Sequence, residues 1–417
     1  MSSTARHRVV LNNASALLAV QIASHIFPFL LLPYLTRVLG ASIYGVVAFA
    51  LSLTQLACIL TDYGFALSAT YAISTHRDDK QYVASVLGGV FLCKIALLLT
   101  ATLALMGYAL ATQKYVNHSD LLLWMLLPLL GQTFQPFWFF QGVEKMVRVT
   151  IYSMGSRVVY VGLVFLLVHN STDAWKIPIA YGCAQISLAA LSIWQIYKEG
   201  YRIALPDFKT VYRLMHDSTG FFWARAAVAM YTSGGAFFLG LFSTPLQVAY
   251  YAAAEQLYRA AQSLLSPMAQ ALYPHMAKHR NFALLFRTIR WMEIVCIGGC
   301  VIGVAAGPWL ITFLFGPQFS ASYPVLVIFL IILAITTPSI LLGYPFLGAL
   351  GKASLANTSV FVAGILQLVL LAGAYVLGQT SAISVVWCVM IVEALVLSLR
   401  AYWGQREYRK YLRSVAK

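Results

Sequence analysis

Long apolar stretches almost free of charge recur along the whole of this chain, and that recurrence restricts its possible folds more than any other feature. Residues 86–110, VLGGVFLCKIALLLTATLALMGYAL, hold a single charge at Lys94, and residues 294–316 hold none. A helix needs about 20 consecutive apolar residues to cross the hydrocarbon layer of a bilayer. A soluble helix of that length would keep a polar face for water. Only 10% of the residues are charged and 60% are hydrophobic, against about 25% charged in soluble domains. The expected fold class is therefore all-α and integral to a membrane.

Apolar runs predict about twelve transmembrane helices, at 9–33, 43–64, 83–110, 119–140, 150–169, 177–197, 218–241, 246–273, 289–315, 321–347, 354–377 and 381–403. The stretch after Arg6 and Arg8 runs on through Pro28 to Tyr34 with no small-residue cleavage site, which predicts a retained first span rather than a signal peptide. An even number of spans puts both termini on one side. Of 28 Lys and Arg residues, 21 fall in the connectors on that side and only Arg37, Lys114 and Lys176 on the other. Cytoplasmic loops carry the excess of basic residues, so both termini are expected in the cytoplasm. The net charge of +15 follows from this bias and needs no nucleic-acid partner.

The longest polar connector, 198–217, divides the chain into an N-terminal six-helix bundle, 1–205, and a C-terminal one, 206–417, with a basic cytoplasmic tail. LGASIYGVVAFA in the first half and LFSTPLQVAYYAAA in the second each join two spans through a short turn, a faint echo of the internal duplication common in transporters. No phosphate-binding GxxxxGK[ST] loop occurs: Gly351-Lys352 is followed by Ala353 and lacks the upstream glycine. DxD, HExxH and GxSxG are absent as well, and the short loops leave no room for a soluble catalytic site. No enzymatic activity, cofactor or metal is expected. The six cysteines lie in apolar stretches, and Cys296 and Cys300, though one turn apart, have no His or acid to complete a metal site.

Charges inside the spans carry the functional signal, because each costs roughly 2.5–3.5 kcal/mol at mid-bilayer on insertion scales. Lys94 and Arg259 fall near the middle of their spans. Arg157 and Arg225 fall about 10 Å inside the cytoplasmic boundary. Against them stand Asp62, Glu255, Glu293 and Glu393. Glu255 and Arg259 are one helical turn apart and can pair locally. Asp62 and Glu293 read as groups near cytoplasmic helix ends, and Glu393 as a deep acid without a local partner. Deep cations in both halves suggest a basic, water-filled path suited to an anionic cargo; interhelical pairing with the acids is the plain structural alternative. Asn12, Asn13, Ser15, Gln21, Ser24 and His25 give the first span a polar character unsuited to lipid. Pro28, Pro33, Pro136, Pro267 and Pro338 predict kinks. Trp138 and Phe139 lie near an interface, as an aromatic belt or as faces on which sugars could stack.

Several segments together resemble the Wzx-type O-antigen flippases, the polysaccharide-transport branch of the multidrug/oligosaccharidyl-lipid/polysaccharide exporter superfamily. They are Leu32-Pro33-Tyr34-Leu35-Thr36-Arg37-Val38-Leu39-Gly40, Tyr44-Gly45 with Phe49-Ala50, Asp62-Tyr63-Gly64-Phe65 with Ser68-Ala69-Thr70, and Pro136-Phe137-Trp138-Phe139-Phe140-Gln141-Gly142. Leu272-Tyr273-Pro274 adds a weaker match in the second half. The resemblance implies a MATE-like fold, two six-helix bundles around a central V-shaped cavity. It implies transfer of an undecaprenyl-diphosphate-linked oligosaccharide repeat unit between leaflets of a bacterial inner membrane, by ion-coupled alternating access. A polymerase and a chain-length regulator of the same pathway would be partners beside the lipid bilayer. On this reading Lys94, Arg157, Arg225, Arg259 and, less centrally, Arg37 are cavity cations that meet the diphosphate. Glu255, Glu393 and Asp62 are the groups that could couple an ion, with Asp62 the more structural of them, and Trp138 and Phe139 could stack on sugar. A multidrug cation antiporter of the same superfamily is the alternative, but it would favour an acidic cavity. An intramembrane enzyme of the glycan pathway would be expected to show large periplasmic loops.

Overall fold

A computed structural model describes the backbone of residues 3–415 and the side chains of 31–414 except Ser266. The polar residues of the first span, from Asn12 to His25, and Pro28 lie outside the described side chains. Every regular element among the described residues is helical. The chain begins with α1 (Ser3–Asp62), α2 (Phe65–Thr75) and α3 (Lys80–Ala111). Three short helices follow, α4 (Ser119–Trp124), α5 (Leu126–Thr133) and α6 (Phe137–Gly142), then α7 (Met146–Leu167) and α8 (Lys176–Lys198). The second half consists of α9 (Phe208–Phe242), α10 (Pro245–His279), α11 (Phe282–Phe315), α12 (Tyr323–Leu341), α13 (Ala353–Val376) and α14 (Ala382–Val415).

These elements trace about twelve rods, as the length required to cross a bilayer predicts. Some helices run on where spans were expected to end, and others break within a span. The first two spans are a single run, α1, interrupted only at Gly40, whose φ of 77° suits a residue without a Cβ. The fourth span is divided into α4, α5 and α6, the last break falling at Gln135-Pro136, where proline lacks the amide hydrogen that would continue the helix. Beyond α12 the chain makes a π-helical turn, Leu342–Gly348, with Gly343 non-helical. Eight helical stretches among the described residues are long and apolar enough to cross a membrane. α9 and α10 are not among them, because Arg225, Glu255, Arg259 and neighbouring polar residues lower their hydropathy.

Two compact units emerge: 1–39 with 50–226, and 40–49 with 227–417. In the first, the core gathers Phe65, Leu87, Val90, Trp138, Phe139, Phe140 and Ile196 from α2, α3, α6 and α8. In the second, one cluster gathers Met276, Leu285, Leu341 and Phe346, and Ala363, Val392 and Val396 form another. Close helix approach in this unit rests on small residues. A Cβ on Gly45 would fall 1.8 Å from the carbonyl oxygen of Pro245, so the start of α10 lies directly against the α1 backbone. On the partner face of α11, Cys296 accepts a hydrogen bond from the Thr337 hydroxyl at 3.3 Å and acts as a packing residue.

Candidate functional site

In the first unit the segment Asp62-Tyr63-Gly64-Phe65 forms the seat of α9. Tyr63 and Gly64 have φ of 45° and 84°, which turns the chain between α1 and α2. The missing Cβ of Gly64 leaves room for Phe221 and the Ser218 carbonyl, which such an atom would approach to 2.7 and 2.8 Å. Tyr63 stacks on Phe222 with centroids 4.8 Å apart, and the Ser68 and Ser218 hydroxyls are 2.7 Å apart. Phe65 points into the core and is fully buried.

Asp62 completes this seat electrostatically. Arg225 donates to its Oδ2 at 2.7 Å, and Lys94 Nζ lies 4.0 Å from its Oδ1. Lys94 is buried and donates at 2.9 Å to the carbonyl of Thr133, the last residue of α5. The Thr61 and Thr133 hydroxyls lie 3.1 Å apart beside it. One carboxylate therefore serves two basic side chains, from α3 and α9. Asp62 is the last residue of α1, and α2 carries the chain eleven residues beyond the turn. α9 begins at Phe208, ahead of the span expected from residue 218, so Arg225 lies about 26 Å along the helix.

In the second unit a cavity of about 240 Å³ opens among α9, α10, α12 and α14. Glu255 and Arg259 pair across one turn of α10 at 2.9 Å, and Arg259 also donates to the Thr232 carbonyl at 2.7 Å. Glu393, buried on α14, accepts a hydrogen bond from the Tyr231 hydroxyl of α9; the partner that its own helix lacks comes from another. Two turns along α14, Arg400 donates to the Ser339 carbonyl at 2.8 Å and to the Ser359 hydroxyl at 2.9 Å. The sequence reading set Arg400 in the basic connector set; the i, i+7 spacing from Glu393 was the signal that placed both on one face. Tyr258, stacked on Phe329 at 5.1 Å, closes one wall. Among the described residues no cluster of three or more His, Cys, Asp and Glu could hold a metal ion.

Residues 10–280 match the model of a family described as "Polysaccharide biosynthesis protein". The chain belongs to that family. Two relatives, from Escherichia coli (strain K12) and Shigella dysenteriae, carry the name "Putative O-antigen transporter". The first is 30% identical over 268 residues, 64% of this chain and 64% of its own length. The second is 28% identical over 319 residues, 74% of this chain and 79% of its own length. The chain thus spans just under two thirds of the Escherichia coli relative. Among solved structures, the lipid II flippase MurJ in an inward closed conformation superposes with a TM-score of 0.74 at 13% identity, over 94% of this chain and 87% of that one. An inward-facing MATE-family multidrug transporter gives 0.69, also at 13% identity, over 94% and 98%. These likenesses establish the fold.

The other residues expected to carry function in this member of the polysaccharide biosynthesis family lie apart from the two clusters. Arg157 is half-buried on α7, and Arg37 is exposed three residues before the Gly40 break. Trp138 and Phe139 are 2% and 0% exposed within the core of the first unit. Their faces are taken up by packing, Trp138 edge-on to Phe91 and Phe139 to Tyr201, so neither offers a surface for sugar stacking. Their segment serves assembly: the Trp138 carbonyl accepts from the Thr70 hydroxyl at 3.0 Å, and Gly142 lets Ile73 of α2 approach α6. Glu293, expected near a helix end, sits eleven residues into α11 with a buried Oε2.

Proposed function

We propose that this protein is a flippase that carries an undecaprenyl-diphosphate-linked oligosaccharide repeat unit, of the O-antigen class, from the cytoplasmic to the periplasmic leaflet of a bacterial inner membrane. The observation that carries the reading is membership of the polysaccharide biosynthesis family together with relatives named as O-antigen transporters over 64% and 74% of the chain. A diphosphate is strongly anionic and crosses hydrocarbon only beside compensating charge. Lys94 and Arg225, two cations with one shared carboxylate, supply such a field in the first half. Arg157 in the same half and Arg259 in the second are further cations for the diphosphate, arginine with planar bidentate donors and lysine with a point charge. The termini and the basic connectors face the cytoplasm on this reading, and the two halves alternate in exposing the path.

Coupling to an ion gradient would fall to the second half. There Glu393 with Tyr231, and Glu255 with Arg259, place two carboxyls in one cavity where binding or loss of a cation changes the hydrogen bonding of three helices. A polymerase and a chain-length regulator of the same pathway are the expected partners.

The test is deletion of the gene in its host with complementation by the wild type and by a Lys94→Ala/Arg259→Ala variant. Lipid-linked repeat units should accumulate on the cytoplasmic face in the deletion and in the inserted variant. Unchanged repeat-unit distribution in the deletion would discard the reading, and full surface glycan in the double variant would discard the role of these cations.

A further inference from the structure

We infer that the outward face of the first three turns of α9, with the connector before it, is a docking surface for the anionic phospholipids of the leaflet on its own side. α9 has 35 residues and is about 52 Å long, against a hydrocarbon layer of about 30 Å, so part of it stands in the headgroup region. Its first turns carry an unusual division of residues. Val211, Leu214 and Ser218 face the core of the first unit. The opposite face presents Phe208 and Tyr212, 83% and 66% exposed, interleaved with exposed Lys209, Arg213 and His216. These five side chains line a groove of about 450 Å³, and Leu205 projects almost wholly exposed just ahead of it.

Aromatic rings between basic groups, on a helix surface at headgroup level, are suited to an interface where phosphates lie above acyl chains. The face holds two acids. Asp207 is engaged as the cap of the helix, accepting from the Thr210 amide at 3.1 Å, and Asp217 lies at the far end beside His216. Neither Lys209 nor Arg213 forms an ion pair among the described residues, so both are open to phosphate oxygens. The surface is also firmly mounted. A Cβ on Gly88 of α3 would fall 1.7 Å from the Ala204 carbonyl oxygen, and one on Gly89 would fall 2.6 Å from Leu214 Cδ1. The Ala204 amide donates to the Ala84 carbonyl at 3.2 Å. The connector and first turns of α9 are thus pinned to α3, and the basic face is displayed rather than free to fold away.

Lys209 and Arg213 stand one turn apart, with His216 about a turn beyond, spread over an open exposed face rather than gathered in an enclosed pocket. That spread fits several monoanionic headgroups side by side better than a single diphosphate, and it sets the occupant as bulk anionic lipid, not the cargo. Lipid held here would fix the outer end of the helix that continues past Ala226 into the second unit.

The experiment titrates the delipidated full-length protein in detergent with phosphatidylglycerol and phosphatidylcholine and counts bound lipids by native mass spectrometry. The wild type should prefer phosphatidylglycerol, and the preference should fall as salt is raised. Lys209→Gln/Arg213→Gln should lose roughly tenfold to thirtyfold of it, the size expected for two surface cations, while Lys209→Arg/Arg213→Lys should retain it. Both positions are exposed, and a monodisperse elution profile checks the fold. A salt-independent preference, or one unchanged in the glutamine variant, overturns the proposal. So does displacement of phosphatidylglycerol from these residues by an equimolar amount of undecaprenyl diphosphate, which would assign the surface to the cargo.

Discussion

Replacing Asp62 by Asn tests whether the buried charge cluster holds the first unit together. Lys94 is 3% exposed and its Nζ lies 4.0 Å from Asp62; at that separation the attraction is about 4 kcal/mol for an effective dielectric of 20. Arg225 is 42% exposed, so solvent screens its pairing to about 1 kcal/mol or less. Asp62→Asn removes both attractions and leaves the lysine with the Thr133 carbonyl alone. Breaking a buried pair from one side costs about 3–5 kcal/mol, and since Asp62 is itself 22% exposed the expected loss is near the lower end, about 3 kcal/mol. Lys94→Met should cost far less, about 1 kcal/mol, because Asp62 keeps Arg225. Added to Asp62→Asn, it should recover about 2 kcal/mol, a favourable coupling between neighbours. Thermal unfolding in detergent can be followed with a thiol-reactive fluorophore that reports exposure of the buried Cys93, Cys296 and Cys388. If Asp62→Asn unfolds with the wild type, or if the two substitutions are simply additive, the cluster is not the structural link described.

Gly45→Ala should destabilise by about 2 kcal/mol or more, as overpacking does, since its methyl would stand 1.8 Å from the Pro245 oxygen; unfolding at the wild-type temperature would refute that close approach. Tyr231→Phe strips Glu393 of its hydrogen bond, with an expected cost of about 1–3 kcal/mol, and a companion Glu393→Gln/Tyr231→Phe pair should be non-additive in the same assay. On the connector side, the hydrogen bond from Lys145 and the nearby charge of Arg148 hold the Glu199 carboxyl below its ordinary range. A depressed carboxyl stabilises the fold above its unfolded pKa and loses that contribution as pH falls through the folded value. Glu199→Gln should therefore cost about 1 kcal/mol or less at neutral pH and nothing in strong acid; a loss that is the same at both would show the charge is irrelevant.

The membrane fold was legible because apolar runs of sufficient length admit few other solutions, and the breaks at Gly40 and Pro136 were foreshadowed by the residues themselves. The Glu255–Arg259 pair was legible from its one-turn spacing. Pairs made between helices were not: Asp62 with Arg225, 163 positions apart, and Tyr231 with Glu393, 162 apart, leave no local pattern. Helix ends were misjudged where polar residues continue a helix beyond its apolar part, as at Phe208 and Phe282. Trp138 and Phe139 misled for a different reason. Aromatic residues at an interface and aromatic residues in a core share one composition, and only packing separates them.

The bond from Lys94 to the Thr133 carbonyl bears on electrical insulation. A helix interrupted inside a bilayer invites water to its orphan carbonyls, and a thread of water conducts protons. Here the interruption after α5 is met by an ammonium group delivered from α3. The carbonyl is satisfied by a side chain and needs no water, so a kinked rod can sit in an energised membrane without a wet break at that point. Lys94→Met, which the fold should tolerate, would then make the membrane leaky before it made the protein unstable.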